Sequence, residues 1–180
     1  MGGHMNKRVQ QKGKTHDRIL SITNDIYLDQ GYINASTKSI SKKAGLSQGT
    51  IFLHFETKEK LFEQIVVVRL NELFERLHAP NLSISTFFKT LIDEEAILAR
   101  VLKDYPYLPQ KFQEAFDQVR MIYKDLLFDL VKPRTDLSIL DLFSLIEMVL
   151  ALIFEDLFYS DGKVMSAKVK KYKKILDKYT

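Results

Sequence analysis

The sequence predicts an all-α protein, a small N-terminal helical unit followed by a larger helical body. Three observations carry this. Gly and Pro number only 7 and 4 in 180 residues, while Leu, Ile, Lys, Glu, Asp and Phe abound, a composition that favours helices over a turn-rich β architecture. Apolar residues recur at helical spacing through most of the chain. The breakers Gly31, Gly45, Pro80, Pro106, Pro109, Pro133 and Gly162 fall between the periodic stretches. With 46% hydrophobic residues, the chain can bury a core.

A first helix is expected over 15–30, where Ile19, Ile22, Ile26 and Tyr27 share a face and Gly31 can take the left-handed position past the end. A short second helix spans 37–44, with Ile40 and Ala44 four apart, and stops at Gly45. Ser47 can cap a third helix through Phe52, its hydroxyl accepting an orphan N–H. Thr57 caps a fourth, whose Leu61, Phe62, Ile65, Leu70, Leu73 and Leu77 continue towards Pro80. Three or four longer helices follow, roughly 83–103, 109–131, 137–159 and 163–178, with a tight break between Pro106 and Pro109. The 137–159 helix is apolar nearly all round, which predicts burial against its own domain and against a second subunit. Its longest unbroken apolar run, 148–154, is too short to span a bilayer.

Charge is segregated along the chain. Residues 1–60 carry +5, residues 61–162 carry −7 and residues 163–180 carry +6, together the chain's +4. A basic head on an acidic body suggests one end built to meet a polyanion. Cys is absent, so disulfides, thiolate metal sites and cysteine nucleophiles are excluded, in keeping with a reducing cytoplasm. Met1 to Met5 reads as a tag remnant, and nothing after it resembles a signal peptide. Residues 1–13 are set apart as this remnant plus a flexible basic N-terminus, 14–60 as the head and 61–180 as the body.

The segment from Ile40 through Ala44-Gly45-Leu46-Ser47-Gln48-Gly49-Thr50 to Ile51 has the layout of a helix-turn-helix. Ala44 lets the two helices cross closely, Gly45 permits a positive φ, and Leu46 and Ile51 tuck under the turn. Such a unit presents the N-terminal residues of its second helix to the major groove, while exposed N–H groups and lysines meet phosphates.

Extended from Gly31-Tyr32 to His54-Phe55 and Lys58-Glu59-Lys60-Leu61-Phe62, the stretch closely resembles the signature of the TetR family of transcriptional regulators, over about residues 14–62. The resemblance implies a helix-turn-helix DNA-binding domain plus a C-terminal helical ligand-binding and dimerisation domain. It also implies a homodimer joined by a four-helix bundle of the last long helices, a double-stranded DNA operator of palindromic form, repression, and release by a small apolar or amphipathic effector. Carried over by position, Gln48, Gly49, Phe52 and Leu53 stand where the family reads base edges, with Lys38 beside them. Thr37, Ser47, Thr50, His54 and Lys58 stand at phosphate-contact positions. Phe52 replaces the family's common Tyr, trading a hydroxyl for a ring that can pack on a thymine methyl, and Ser41 replaces a more usual Ala.

Other readings stand beside these. His54 is either a phosphate donor or a histidine capping its helix, and Lys42 and Lys43 are backbone contacts or ordinary exposed lysines. Lys7, Arg8, Lys12 and Lys14 form either an arm on the phosphates or a solubilising tail. On 163–178, Val169, Tyr172, Leu176 and Tyr179 form a stripe, so a helix docked by its apolar face with solvated lysines outweighs a second DNA site. The body aromatics Phe88, Phe112, Phe116, Tyr123, Phe143 and Phe154 together suggest an apolar effector pocket, although for any one of them the core reading outweighs it. An enzyme is disfavoured, because the histidines lack metal spacing and no Gly-rich phosphate loop exists, and neither cofactor nor metal is expected. An adaptor using the helix-turn-helix only structurally is the remaining alternative.

Overall fold

Helix-favouring Lys, Gln and Arg precede the Ile19–Ile26 stripe, and α1 runs Gly3–Asn34. The computed structural model describes residues 3–78, 82–161 and 164–179, and side chains from Val9 onward. Met1, Gly2, Pro80, Gly162 and Lys163 lie outside these, as do the side chains of Lys7 and Arg8. Residues 3–13, expected to be flexible, are thus the opening turns of α1, because nothing there breaks a helix except Gly13, whose Cβ position is open. Inside α1, Gly31 is non-helical at φ 77°, ψ 175°. This is a backbone region essentially confined to glycine, and not the left-handed helical cap that the sequence suggested.

The next two helices follow their caps. α2, Thr37–Ala44, starts at Ser36, whose Oγ accepts the Ser39 N–H at 3.0 Å while Ser39 Oγ accepts the Ser36 N–H at 3.3 Å. It ends at Gly45, left-handed at φ 63°, ψ 36°. Ser47 then caps α3, Gln48–His54, and Thr57 caps α4, Lys58–Leu77. The body continues with α5, Ile84–Asp93, α6, Glu95–Asp104, α7, Gln110–Val131, α8, Ile139–Phe158, and α9, Met165–Leu176. Among the described residues there is no strand.

α1, α2 and α3 close over Ile19, Ile40, Ile51 and Phe55, all buried. α4 packs against both α1 and α7, so the expected boundary at residue 60 falls within a helix that head and body share. Its buried Phe62, Val66 and Leu70 join a core continuous from Ile19 to Leu176.

The single helix expected over 83–103 is two helices that meet at Glu94. The Glu94 carboxylate is drawn inward by Arg69 Nε at 2.8 Å and Arg76 Nη2 at 2.5 Å, both from α4. No Gly or Pro marks this break, and the ion pairs to α4 accompany it. Buried Glu95 beside it accepts the backbone N–H groups of Val164 at 2.6 Å and Met165 at 3.0 Å, and the Ser160 hydroxyl. α9 has no capping side chain of its own, so a carboxylate on α6 serves its N-terminus. Val169, Tyr172 and Leu176 dock α9 while Lys170, Lys171 and Lys174 remain exposed, as the periodicity predicts; Tyr179 departs from the stripe and is exposed.

Candidate nucleic-acid interface

Helix α3 is short and amphipathic, and a single buried residue, Ile51, anchors it. Gln48 and Gly49 are exposed, and so are two large apolar side chains, Phe52 at 44% and Leu53 at 82%. An exposed Phe and Leu on one two-turn helix, set over a closed core, form a surface built to be covered. Gly49 needs no special backbone, and a Cβ there would meet only Ser47 Oγ at 3.6 Å. Its lack of a side chain therefore matters only to what approaches from outside.

The polar groups at the helix start are organised by the cap. Ser47 Oγ accepts the Thr50 N–H at 3.1 Å and lies 2.9 Å from Thr50 Oγ1. Whichever hydroxyl donates in that pair, the other hydrogen is left for a phosphate oxygen. Lys38 is exposed and Thr37, at the first position of α2, half-buried. Lys42 and Lys43 are also exposed, the latter 3.8 Å from Asp25.

His54, at the end of α3, lies with its ring 6.0 Å from that of His16, which stacks on Phe55 at 4.7 Å. Its Nδ1 is buried without a hydrogen-bond partner. Burial first, then the charges of His16 and Lys12, lower its pKa from 6.5. Both effects favour the neutral ring, which can still offer a phosphate a hydrogen bond. His16, on α1, was not assigned to this surface from sequence, whereas Lys12 was offered only as part of an N-terminal arm or tail; helical spacing from residue 12 to 16 is the one signal that pairs them.

Lys58 differs from its neighbours. Its Nζ donates to the Tyr32 carbonyl at 2.6 Å and the Ile33 carbonyl at 3.4 Å, and sits 4.6 Å from the Tyr32 ring centroid. Desolvation lowers its pKa. The amine assigned to phosphate thus ties the start of α4 to the end of α1, because those terminal carbonyls lack helical partners.

The six aromatics assigned to an effector pocket do not form one. Phe88, Phe112, Phe116 and Tyr123 are fully buried. They are used up in packing: Phe88 stacks on Tyr172 at 6.3 Å, Phe112 meets Tyr32 edge-on at 5.8 Å, Phe116 lies 5.9 Å from Tyr105, and Tyr123 meets Phe87 at 5.2 Å. Phe143 stacks on Phe128 at 4.6 Å and remains 41% exposed. Phe154 borders a cavity of about 570 Å³ between α7 and α8.

Fold and surface define a helix-turn-helix protein with an all-helical body. Residues 19–65 match the family model for bacterial regulatory proteins, tetR family. The uncharacterized HTH-type transcriptional regulator YvdT of Bacillus subtilis (strain 168) is 32% identical over 99 residues, covering 53% of this chain and 50% of that protein. The HTH-type transcriptional regulator UidR of Escherichia coli (strain K12) is 33% identical over 66 residues, covering 37% and 34%. The match therefore spans half or less of the length of these relatives. Among solved structures, a TetR transcriptional regulator from Legionella pneumophila superposes with a TM-score of 0.66 at 18% identity, covering 91% of this chain and 96% of that one. The fatty acid degradation regulator FadR from Bacillus halodurans gives 0.63 at 20% identity, covering 90% and 94%; at these identities the likeness is one of fold. The family match over 19–65, the regulator relatives and the TetR-like solved structures together support a transcriptional regulator of the TetR type.

Proposed function

We propose that this chain is a DNA-binding transcriptional regulator that represses from a palindromic operator as a homodimer and is released by a small-molecule effector. The observation that carries the reading is the exposed face of α3, where Gln48, Gly49, Phe52 and Leu53 stand clear of the head's core. Gln48 reads a base edge, Phe52 and Leu53 pack on thymine methyls, and Thr37, Lys38, Ser47, Thr50 and His54 hold the phosphates. Lys58 holds the end of α1, through the Tyr32 and Ile33 carbonyls, against the start of α4.

Dimerisation is supported by α8. Leu140, Phe143, Met148 and Phe158 lie exposed along one side of it, with Met121 exposed on the neighbouring α7. A second copy covering this side completes a four-helix bundle from α7 and α8. α9 turns a lysine-rich face outward and fits that role less well. Two recognition helices then enter successive major grooves about 34 Å apart. No described helix is long and apolar enough to cross a membrane, and the relatives named above are regulators rather than enzymes. We place the protein in the cytoplasm with its DNA.

Fluorescence anisotropy against DNA from immediately upstream of the protein's own gene, with a shuffled duplex and a salt series, tests the reading. Tight binding confined to the native duplex is expected. Equal, weak, salt-quenched binding to both would favour the adaptor reading.

A further inference from the structure

We infer that the trough between α1 and α4 is a binding site for an amphipathic organic cation, such as a lipophilic amine or phosphonium. The trough is open to solvent and has a volume of about 910 Å³, within the range of small-molecule sites. It lies where head meets body, apart from the aromatic core. Leu20 of α1 and Ile65 and Val68 of α4 form an apolar floor, and Val68 is 38% exposed with nothing covering it.

The charges at its end select the sign of the ligand. Arg69 and Arg76 line the trough, yet both are already drawn to the buried Glu94 carboxylate, at 2.8 and 2.5 Å. Glu72 and Glu75 line it too, one turn of α4 apart, and neither has an ion-pair partner among the described residues. Five charged side chains therefore leave a net negative wall beside an apolar floor. A molecule that buries hydrocarbon on Leu20, Ile65 and Val68 and sets a cation between Glu72 and Glu75 satisfies both. A carboxylate ligand would have to share guanidinium groups that Glu94 occupies and would meet two unpaired glutamates.

The regulatory consequence rests on the effector-release reading above. A ligand wedged between α1 and α4 changes the angle at which α1 carries α2 and α3, and by linkage DNA must weaken ligand binding by the factor that ligand weakens DNA binding.

Isothermal titration of the full chain with tetraphenylphosphonium, and with decanoate at matched ionic strength, tests the site. Saturable binding of the cation without binding of decanoate is expected. The exposed double substitution Glu72→Gln/Glu75→Gln should weaken cation binding about tenfold or more, Val68→Arg should abolish it, and Phe154→Ala should leave it unchanged. Absence of saturable cation binding, preferential binding of decanoate, or an affinity indifferent to Glu72→Gln/Glu75→Gln overturns the proposal. Cation binding that depends on these glutamates but leaves operator affinity unaltered upholds the site and removes effector release through it.

Discussion

Asp104, at the end of α6, accepts the backbone N–H of Tyr32 at 2.7 Å, so a carboxylate of the body grips the head at its one irregular turn. Arg100, one turn earlier, donates to the carbonyls of Leu28 at 2.8 Å and Asp29 at 3.1 Å. Lys58 takes the Tyr32 carbonyl from the other side. The chain between α1 and α2 is thus fixed by α6 and α4 together, through three side chains that lie 26 to 72 residues from the groups they hold.

Gly31 is the element of this grip that tolerates least. A Cβ there would stand 2.7 Å from Asp104 Oδ1 and 2.8 Å from Oδ2, at a φ of 77°. Gly31→Ala should cost about 1–3 kcal/mol in urea unfolding. A cost near zero would mean that α6 and the head separate freely.

Gly49 predicts the opposite pattern. Its Cβ position is open apart from ordinary contact with Ser47, so Gly49→Ala should leave stability unchanged or raise it by up to about 1 kcal/mol. Operator affinity should nonetheless fall, because the methyl projects where the DNA approaches. Unaltered affinity would move the contact surface away from this face of α3.

Lysines of the head should divide into two kinds. Exposed Lys38→Ala should leave the melting temperature alone and flatten the salt dependence of DNA binding by about one unit. Lys58→Ala strips a charge-assisted hydrogen bond from Tyr32 and should cost about 1.5–3 kcal/mol of stability, with DNA affinity falling as a consequence. Gln48→Ala should cost about 1–3 kcal/mol at particular base pairs only. Comparing melting curves with salt titrations for the three variants checks the division.

Stability should fall with pH in two stages. The folded state holds the His54 pKa below its ordinary 6.5, so the unfolded chain takes up that proton more readily. Stability is therefore full above pH 6.5 and declines as pH drops through it. Glu63 is held low by its hydrogen bond to Lys111. At Asp156, burial pushes the other way but is outweighed by hydrogen bonds from Tyr172 and Lys168. These two contribute above the ordinary carboxylate range and lose their contribution as pH falls through about 4. Urea midpoints measured from about pH 8 to about pH 2 should show both stages, and His54→Gln should remove only the first.

Phe143 lies in the exposed stripe of α8, and Phe143→Glu should yield a folded monomer by sedimentation with weakened operator binding. A wild-type protein that is already monomeric at micromolar concentration would remove the palindrome from the reading.

Much of the head was legible in order of residues alone. Ser36, Gly45, Ser47 and Thr57 act on backbone groups within a few positions of themselves, so their spacing carries the caps and turns of α2, α3 and α4. The reach of α1, the break at Glu94 and the capping of α9 by Glu95 were not legible. The partners of Glu94 lie 25 and 18 residues away and those of Glu95 as much as 70, so periodicity has no access to them. The same holds for two functional assignments. A lysine at the start of a helix reads as a phosphate contact, and its tie to Tyr32 is visible only in the fold; a run of body aromatics reads as a pocket until Phe88, Phe112, Phe116 and Tyr123 are found packed on Tyr172, Tyr32, Tyr105 and Phe87. Spacing along the chain settles what a residue can do to its own helix, whereas what remains free for a ligand depends on which distant groups have already claimed it.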